Sequence, residues 1–444
     1  MEINAGDTAW VLMSAALVML MTPGLAFFYG GMVRSKSVLN MMMMSFITIG
    51  IVSVLWVLYG FSVAFGDTGN GLWGGLGELG LTDLATSVTT NGGAYPIPLL
   101  AFVLFQMMFA IITPALISGA IADRAKFTSW AVFVAVWATL VYFPVAHWVF
   151  DFGGEEAGGS DAGWLANLGV LDFAGGTAVH INAGAAGLAL AIILGRRIGW
   201  PKTLMKPHNL PFVLLGAALL WFGWFGFNAG SALGATPTAA LAFATTMIAT
   251  ATAVLGWVVV ERVRDGHPTS LGAASGAVAG LVAITPACAF VSPIGAIAIG
   301  FLSGVLCALA VGIKFRFKFD DSLDVVGIHL VGGIVGSLAI GLFATTSVNE
   351  LGKDGLFYGG GIQPLLTQSI GVVAVLAYSF VVTFGIGYLL HKTIGFRVSE
   401  DVEVGGIDLV EHAETAYDLA AAAGPVGGTR IPTGAGLAQK KVNA

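Results

Sequence analysis

Long apolar runs separated by short polar intervals set the pattern of this chain. Eleven of them, at roughly 9–31, 40–66, 97–121, 127–150, 172–195, 210–231, 237–260, 270–288, 293–313, 323–344 and 365–391, carry almost no charge. At 1.5 Å per residue each is long enough to cross most or all of a hydrocarbon core about 30 Å thick. A bilayer offers backbone groups no water, so such runs predict self-satisfied helices and an all-α polytopic membrane protein. An odd number of spans places the termini on opposite sides. The opening MEINAGDTAW holds Glu2 and Asp7 but no Lys or Arg, unlike the basic start of a signal peptide, so the first run reads as a true helix.

Charge gives the orientation. Of 19 Lys and Arg, 18 fall at alternate ends of the spans and only Lys353 lies on the other side. Basic residues stay cytoplasmic, which puts the N-terminus outside and the C-terminus inside. The outer loops are acidic, with Asp67, Glu78 and Asp83 in one and Asp151, Glu155, Glu156 and Asp161 in another. Two readings stand: these acids concentrate cations at the outer mouth, or they only keep the loops soluble.

Orientation gives meaning to a repeated pattern. Asp172, seven residues, His180, then Gly184 and Gly187 recurs as Asp321, seven residues, His329, then Gly333 and Gly336. The first copy lies in the fifth span and the second in the tenth, running in opposite directions. Ile112-Thr113-Pro114-Ala115 in the third span recurs as Ile284-Thr285-Pro286-Ala287 in the eighth. Both pairs keep a five-span offset, which predicts a five-plus-five inverted repeat, the architecture of transporters whose site lies at the repeat interface near the midplane. An Asp at the membrane surface places its His about 12 Å deeper, close to half a hydrocarbon core. Gly on the His face lets helices approach and predicts that the two imidazoles meet. Asp172 has two readings, helix N-cap and functional support. Asp324 is expected to brace the tenth helix, Thr285 to hydrogen-bond near the site, and Pro286 to kink its helix.

Composition agrees with a membrane bundle: 57% hydrophobic, 10% charged, 63 Gly, and a mean hydropathy of +0.88. Cys288 and Cys307 lie in separate apolar spans without ligand spacing, so no disulfide framework or zinc site is predicted. HExxH and GxSxG are absent, and neither an enzyme, a cofactor nor a nucleic-acid partner is expected. Residues 1–395 read as the transmembrane domain and 396–444 as a cytoplasmic regulatory tail, ordered and acidic to about 418 and disordered from 420.

The strings PGLAFFYGG at 23–31, FQMMFA at 105–110, DFAGGTAVHINAG at 172–184, WFGWFGFNAGS at 221–231, ITPAC at 284–288, DDSLDVVGIH at 320–329 and the tail GFRVSEDVEVGGIDLVEHAETAY at 395–417 resemble the ammonium transporter (Amt) family of the Amt/Mep/Rh superfamily. The resemblance implies a cell-membrane homotrimer with one pore per subunit. It implies that Phe109 and Phe227 are stacked rings closing the outer pore, that Ser231 belongs to an external cation site, and that His180 and His329 line an apolar lumen. Asp172 would support the recruitment site, with Asn228 and Thr285 as further supporting residues. Where the family usually has Trp, in a string like AHWVW, this chain has Phe150, followed by the insertion DFGGEEAGGSDAG; either Phe150 or Trp164 completes the outer site. By the same resemblance the tail touches a neighbouring subunit and a PII-class signalling protein docks at the inner face. A sensor of the same fold and a Rhesus-type ammonia channel stand as alternatives.

These residue types suit ammonium and methylammonium. A small cation that donates hydrogen bonds is held by a hydroxyl and by aromatic faces. An apolar lumen penalises the ion heavily, while imidazoles accept and relay a proton so that the neutral amine passes. Potassium has no proton to shed. NH3, NH4+ and NH3 with a separately conducted proton all remain open as the net species.

Overall fold

The computed structural model describes residues 2–66, 70–82, 84, 88–90, 95–153, 162–203 and 205–417. Asp67, Asp83, Glu155, Glu156, Asp161 and residues 420–444 lie outside the described residues. Among the described residues eleven apolar helices make up the bundle: α1 (Ala5–Met32), α2 (Val38–Phe65), α3 (Leu99–Ile121), α4 (Phe127–Phe150), α5 (Gly176–Leu194), α6 (Leu210–Gly230), α7 (Pro237–Arg264), α8 (Ser270–Ile284), α9 (Pro293–Phe317), α10 (Val326–Phe343) and α11 (Gln363–Thr393). Ten are long enough to cross a membrane, and α8 is the shorter eleventh. Two short tail helices follow, α12 (Glu400–Gly405) and α13 (Ile407–Glu411). One small antiparallel ribbon, Val88–Thr90 with Tyr95–Pro98, leads into α3. Leu58, Phe222, Leu255 and Val373 are exposed on helix flanks, as befits a surface whose solvent is lipid.

The helices differ from the hydropathy reading at informative places. Helix α8 stops at Ile284 instead of 288, because Pro286 has no N–H to continue the ladder; Thr285 is its C-cap, so Pro286 ends the helix where a kink was expected. The matching Pro114 lies inside a helix that continues. Both threonines nevertheless donate to the carbonyl four residues earlier, Thr113 to Phe109 and Thr285 to Leu281, at 2.7 Å each. Helices α5 and α10 begin a few residues later than their apolar runs, since the residues after each Asp form a capping turn. Each then opens with a widened π-turn, Gly176–Ile181 and Val326–Leu330, that contains the His. Single π-turns inside α-helices are frequent at functional sites.

Close packing of α5 on α10 is reciprocal. A Cβ on Gly184 would lie 2.5 Å from the Leu330 nitrogen, and one on Gly333 would lie 2.9 Å from an Ile181 side-chain carbon. Each glycine, four residues beyond its own His, thus faces the residue that follows the other His. The inverted repeat is legible in this contact.

Helix α11 crosses the bundle on a slant. Near its outer end Leu365 packs on Gly341 of α10, and near its inner end Gly387 packs on Leu190 and Ile193 of α5. Past that end Ser129 of α4 donates to the Gly395 carbonyl at 2.6 Å.

Candidate functional site

The turn before α5 is held by one carboxylate. Asp172 Oδ1 accepts from the backbone N–H of Gly175 and Gly176 at 2.8 and 2.7 Å. Its Oδ2 accepts from Thr177 N at 2.8 Å, Ala178 N at 3.2 Å and the Thr177 hydroxyl. Five donors occupy a group with about four lone-pair sites, so Asp172 caps the helix and has no acceptor capacity left over. Gly175 takes φ +117° to bring these N–H groups round, a backbone state that favours glycine. In the second copy Asp321 accepts from Val325 N at 3.1 Å and Val326 N at 2.7 Å. The third residue on is Asp324, at φ +62°, which Asp tolerates. Asp324 binds Lys314 Nζ at 2.6 Å, a contact between the start of α10 and the end of α9. Burial raises the Asp321 carboxyl to about 6, opposed by Lys314 and reinforced by Asp324.

These two caps aim two π-turns at each other. His180 Nδ1 and His329 Nδ1 lie 3.3 Å apart, with the rings 18° from parallel. A hydrogen bond between like nitrogens needs the proton on one Nδ1 and none on the other, so the neutral pair holds opposite tautomers. The pair is therefore polarised along the lumen. His180 Nε2 is buried and makes no hydrogen bond among the described residues. Trp224 stacks on His180 at 5.3 Å and 20° and donates its indole N–H to Thr285 Oγ at 2.8 Å. Thr285 thus acts through Trp224.

Around the imidazoles the walls are apolar. Met21, Leu25, Phe28, Ile112, Leu116, Val179, Leu220, Trp224, Phe227 and Val278 join the two His to line a cavity of about 10 Å³, room for roughly one water-sized molecule. Toward the outside Phe109 and Phe227 close it, their ring centroids 4.2 Å apart and 31° from parallel. Phe109 also lines the outer vestibule of about 550 Å³ while Phe227 lines the lumen, so the two rings meet where these cavities adjoin. The vestibule wall includes Phe150, Asp172, Ser231, Gln106 and Tyr95. Ser231 donates to the Phe227 carbonyl at 2.8 Å, which leaves its oxygen lone pairs as acceptors. Asn228, next to Phe227, donates to Thr246 Oγ at 2.9 Å, and its Oδ1 is buried without a partner among the described residues.

The structure brings Phe150, and not Trp164, to the vestibule wall. Trp164 packs edge-on against Trp148 at 5.6 Å. His147 Nδ1 donates to the Ala64 carbonyl, 3.1 Å away, a contact that ties α4 to α2, and lies 3.2 Å from Asp151. Sequence reasoning passed over Trp224. Its signal was present, three residues before Phe227 and so on the same helix face.

At the cytoplasmic face the tail supplies caps that the helices lack. Ser37 makes no side-chain cap for α2; Asp408 does so instead, accepting from Leu39 N and Asn40 N at 3.0 and 2.8 Å. Burial pushes its carboxyl up, against the backbone donors that favour its charge. Glu411 accepts from Phe127 N at the start of α4 at 3.0 Å, and Tyr417 bonds His208 at 2.8 Å. The described part of the tail is thereby braced on loops of its own chain.

Residues 9–417 match the Ammonium Transporter Family. An ammonium transporter of Mycobacterium tuberculosis is 58% identical over 442 residues, covering 95% of this chain and 92% of the relative. Among solved structures, a Sensor Amt Protein superposes with a TM-score of 0.83 at 31% identity, covering 92% of this chain and 98% of its own. Mep2 of Saccharomyces cerevisiae gives 0.81 at 35% identity, covering 90% and 89%.

Proposed function

From the premise that this chain belongs to the ammonium transporter family, we propose that it recruits NH4+ in the outer vestibule, strips one proton, and conducts the amine past His180 and His329 into the cytoplasm. The carrying observation is the imidazole pair at 3.3 Å in a lumen too small and too apolar for a hydrated ion. Ser231 offers the acceptor, and Phe109 and Phe150 offer ring faces that attract a cation. Past the Phe109–Phe227 partition no carboxylate among the described residues lines the lumen, so a bare cation there costs several kcal/mol while the neutral amine does not. The polarised imidazoles accept the proton and hand it along. Asp172 supports the outer site by fixing the turn beneath it, and Asn228 and Thr285 hold Phe227's helix and Trp224.

The chain in purified proteoliposomes is expected to take up labelled methylammonium and to exclude potassium. A second reading, a non-transporting sensor, draws on the likeness to the Sensor Amt Protein; ammonium binding without uptake would establish it. Resemblance to the family supports a homotrimer, residues 1–395 as the conducting domain, residues 396–444 as a regulatory segment and a PII-class partner at the inner face. Light scattering tests the assembly, and truncation after residue 395 should alter regulation while leaving the pore formed.

A further inference from the structure

The slant of α11 leaves a gap that nothing in the transport route uses. Because α11 lies on α10 outside and on α5 inside, the inner ends of α5, α9 and α10 border an uncovered cleft of about 580 Å³. Its walls are Leu188, Ala191 and Ile192 of α5, Ile313 and Phe317 of α9, and Val326 of α10. Ile192 is 47% and Phe317 69% exposed, large apolar surfaces that a water-filled groove would penalise. At the cytoplasmic edge of the same cleft stand Arg196 and Lys318. Arg196 stands two residues past Leu194, the last residue of α5, and Lys318 directly follows Phe317, the last residue of α9, so both cations sit at the inner helix ends beside the apolar walls.

Arg196 is held in place, and neither cation is compensated by a carboxylate among the described residues. Arg196 Nε donates to the Lys318 carbonyl at 2.9 Å, and its guanidinium lies 5.5 Å from the Trp200 ring, which in turn stacks on Phe315 at 5.7 Å. Asp320, the carboxylate in the cleft lining, is already engaged: its two oxygens accept from Arg197 N, Nε and a terminal nitrogen at 2.8–2.9 Å. Burial works against its ionisation, but the Arg197 bonds and charge prevail and hold the carboxyl below its usual value. No carboxylate pairs with Arg196 or Lys318 among the described residues.

We propose that this cleft binds an anionic phospholipid of the cytoplasmic leaflet, its phosphate between Arg196 and Lys318 and an acyl chain along Ile192, Ile313 and Phe317. The occupant follows from the charge of the rim, the apolarity of the walls and the place of both at the inner helix ends. A zwitterionic lipid fills the walls but gains less at the rim. The cleft is on the flank of the bundle, so the lipid needs no passage through the pore.

Native mass spectrometry of the detergent-purified full chain, titrated separately with phosphatidylglycerol and phosphatidylcholine, tests it. Phosphatidylglycerol should bind the tighter, and Arg196→Gln with Lys318→Gln should weaken it roughly 30-fold, at about 1 kcal/mol per charge, while phosphatidylcholine is unchanged. Ile192→Trp keeps the charges and fills the cleft, so it should weaken both lipids; this arm stands if the double variant misfolds. Equal affinity for the two lipids, or phosphatidylglycerol binding untouched by either variant, overturns the proposal. Displacement of the lipid by inorganic phosphate alone would make this a free-anion site and also overturn it. Cys288 and Cys307 are buried, so a Phe317→Cys variant offers one reactive thiol. A bimane there should be quenched by brominated phosphatidylglycerol in liposomes, whereas cross-linking to a second copy of the chain would assign the cleft to a subunit interface.

Discussion

Asp172 caps its helix at the outer vestibule, whereas Asp321, at the same spacing from its His in an inverted helix, caps at the cytoplasmic end, and His180 and His329 share one lumen between them. At the first cap five donors converge on the carboxylate, and Asp172 shares the vestibule wall with Phe109 of the aromatic pair. At the second only two backbone N–H groups reach the carboxylate, and Lys314 clamps Asp324 beside it. The shared part is what sets the depth and angle of the imidazoles: a capping turn, a π-turn and a glycine seat. What differs lies at the mouths. Duplicated geometry therefore builds the lumen, and the aromatic vestibule wall belongs to the first half's cap.

The strongest break in the comparison is at its centre. His180→Ala and His329→Ala are each expected to cut selective methylammonium uptake by about 10²-fold or more, the usual scale for a positioned proton-transfer group. The double variant should cost little beyond the worse single one, because the two rings share one hydrogen bond. Independent, multiplying losses in proteoliposome uptake would mean that the rings work separately.

Next in size are the glycine seats. Gly184→Leu and Gly333→Leu each drive a side chain into the facing helix and should destabilise by at least about 1–3 kcal/mol, the cost of overpacking. Equal losses in melting temperature are expected if the seats are equivalent. Gly385→Leu on α11, where a Cβ meets nothing within 4 Å, is the control and should be near neutral.

The two caps should separate. Asp172→Asn strips charge from a five-donor site and is expected to cost about 3 kcal/mol, against about 1 for Asp321→Asn. The second loss should also depend on pH. Burial lifts Asp321 to about 6, above its unfolded value of about 3.9, so the folded chain holds this proton more tightly than the unfolded one. Stability from this group is full below about 4 and is lost as pH rises through about 6. The deficit of Asp321→Asn against the parent should therefore shrink between about pH 5 and 7.5 in thermal unfolding; a widening deficit would contradict the assigned burial.

Much of this was legible because membranes simplify sequence. Eleven apolar runs gave the helices, the Asp-to-His spacing gave the meeting of the two imidazoles, and glycine at four beyond each His gave the seat. Boundaries failed where a local device overrode hydropathy: Pro286 ended α8 inside an apolar run, and each Asp drew its first residues into a cap. The tail's capping of α2 by Asp408 joins groups hundreds of residues apart, and no periodicity reports such a contact. Trp224 was hidden in an aromatic-rich run, where its stacking on His180 depends on which face of α6 meets α5.

The smallest expected effect concerns the side that the second half does not copy, the outer aromatic site. Phe150 lines the vestibule and Trp164 packs on Trp148 instead, so the ring available to a recruited cation is a phenyl. Indole is the stronger cation-binding face, by on the order of 0.5–1 kcal/mol at a partly exposed position, which is roughly two- to fivefold in affinity. Phe150→Trp should lower the half-saturating methylammonium concentration by about that factor. Maximal uptake should hardly change, since Phe150 stands outside the Phe109–Phe227 partition and touches none of the lumen. Trp164→Ala removes a ring that supports Trp148, so it should lower thermal stability and leave half-saturation in place. A strong loss of affinity in Trp164→Ala with none in Phe150→Trp would move the outer ring to the loop after α4. If neither variant shifts half-saturation, recruitment rests on Ser231 and Phe109, and the asymmetry between the halves narrows to the partition alone.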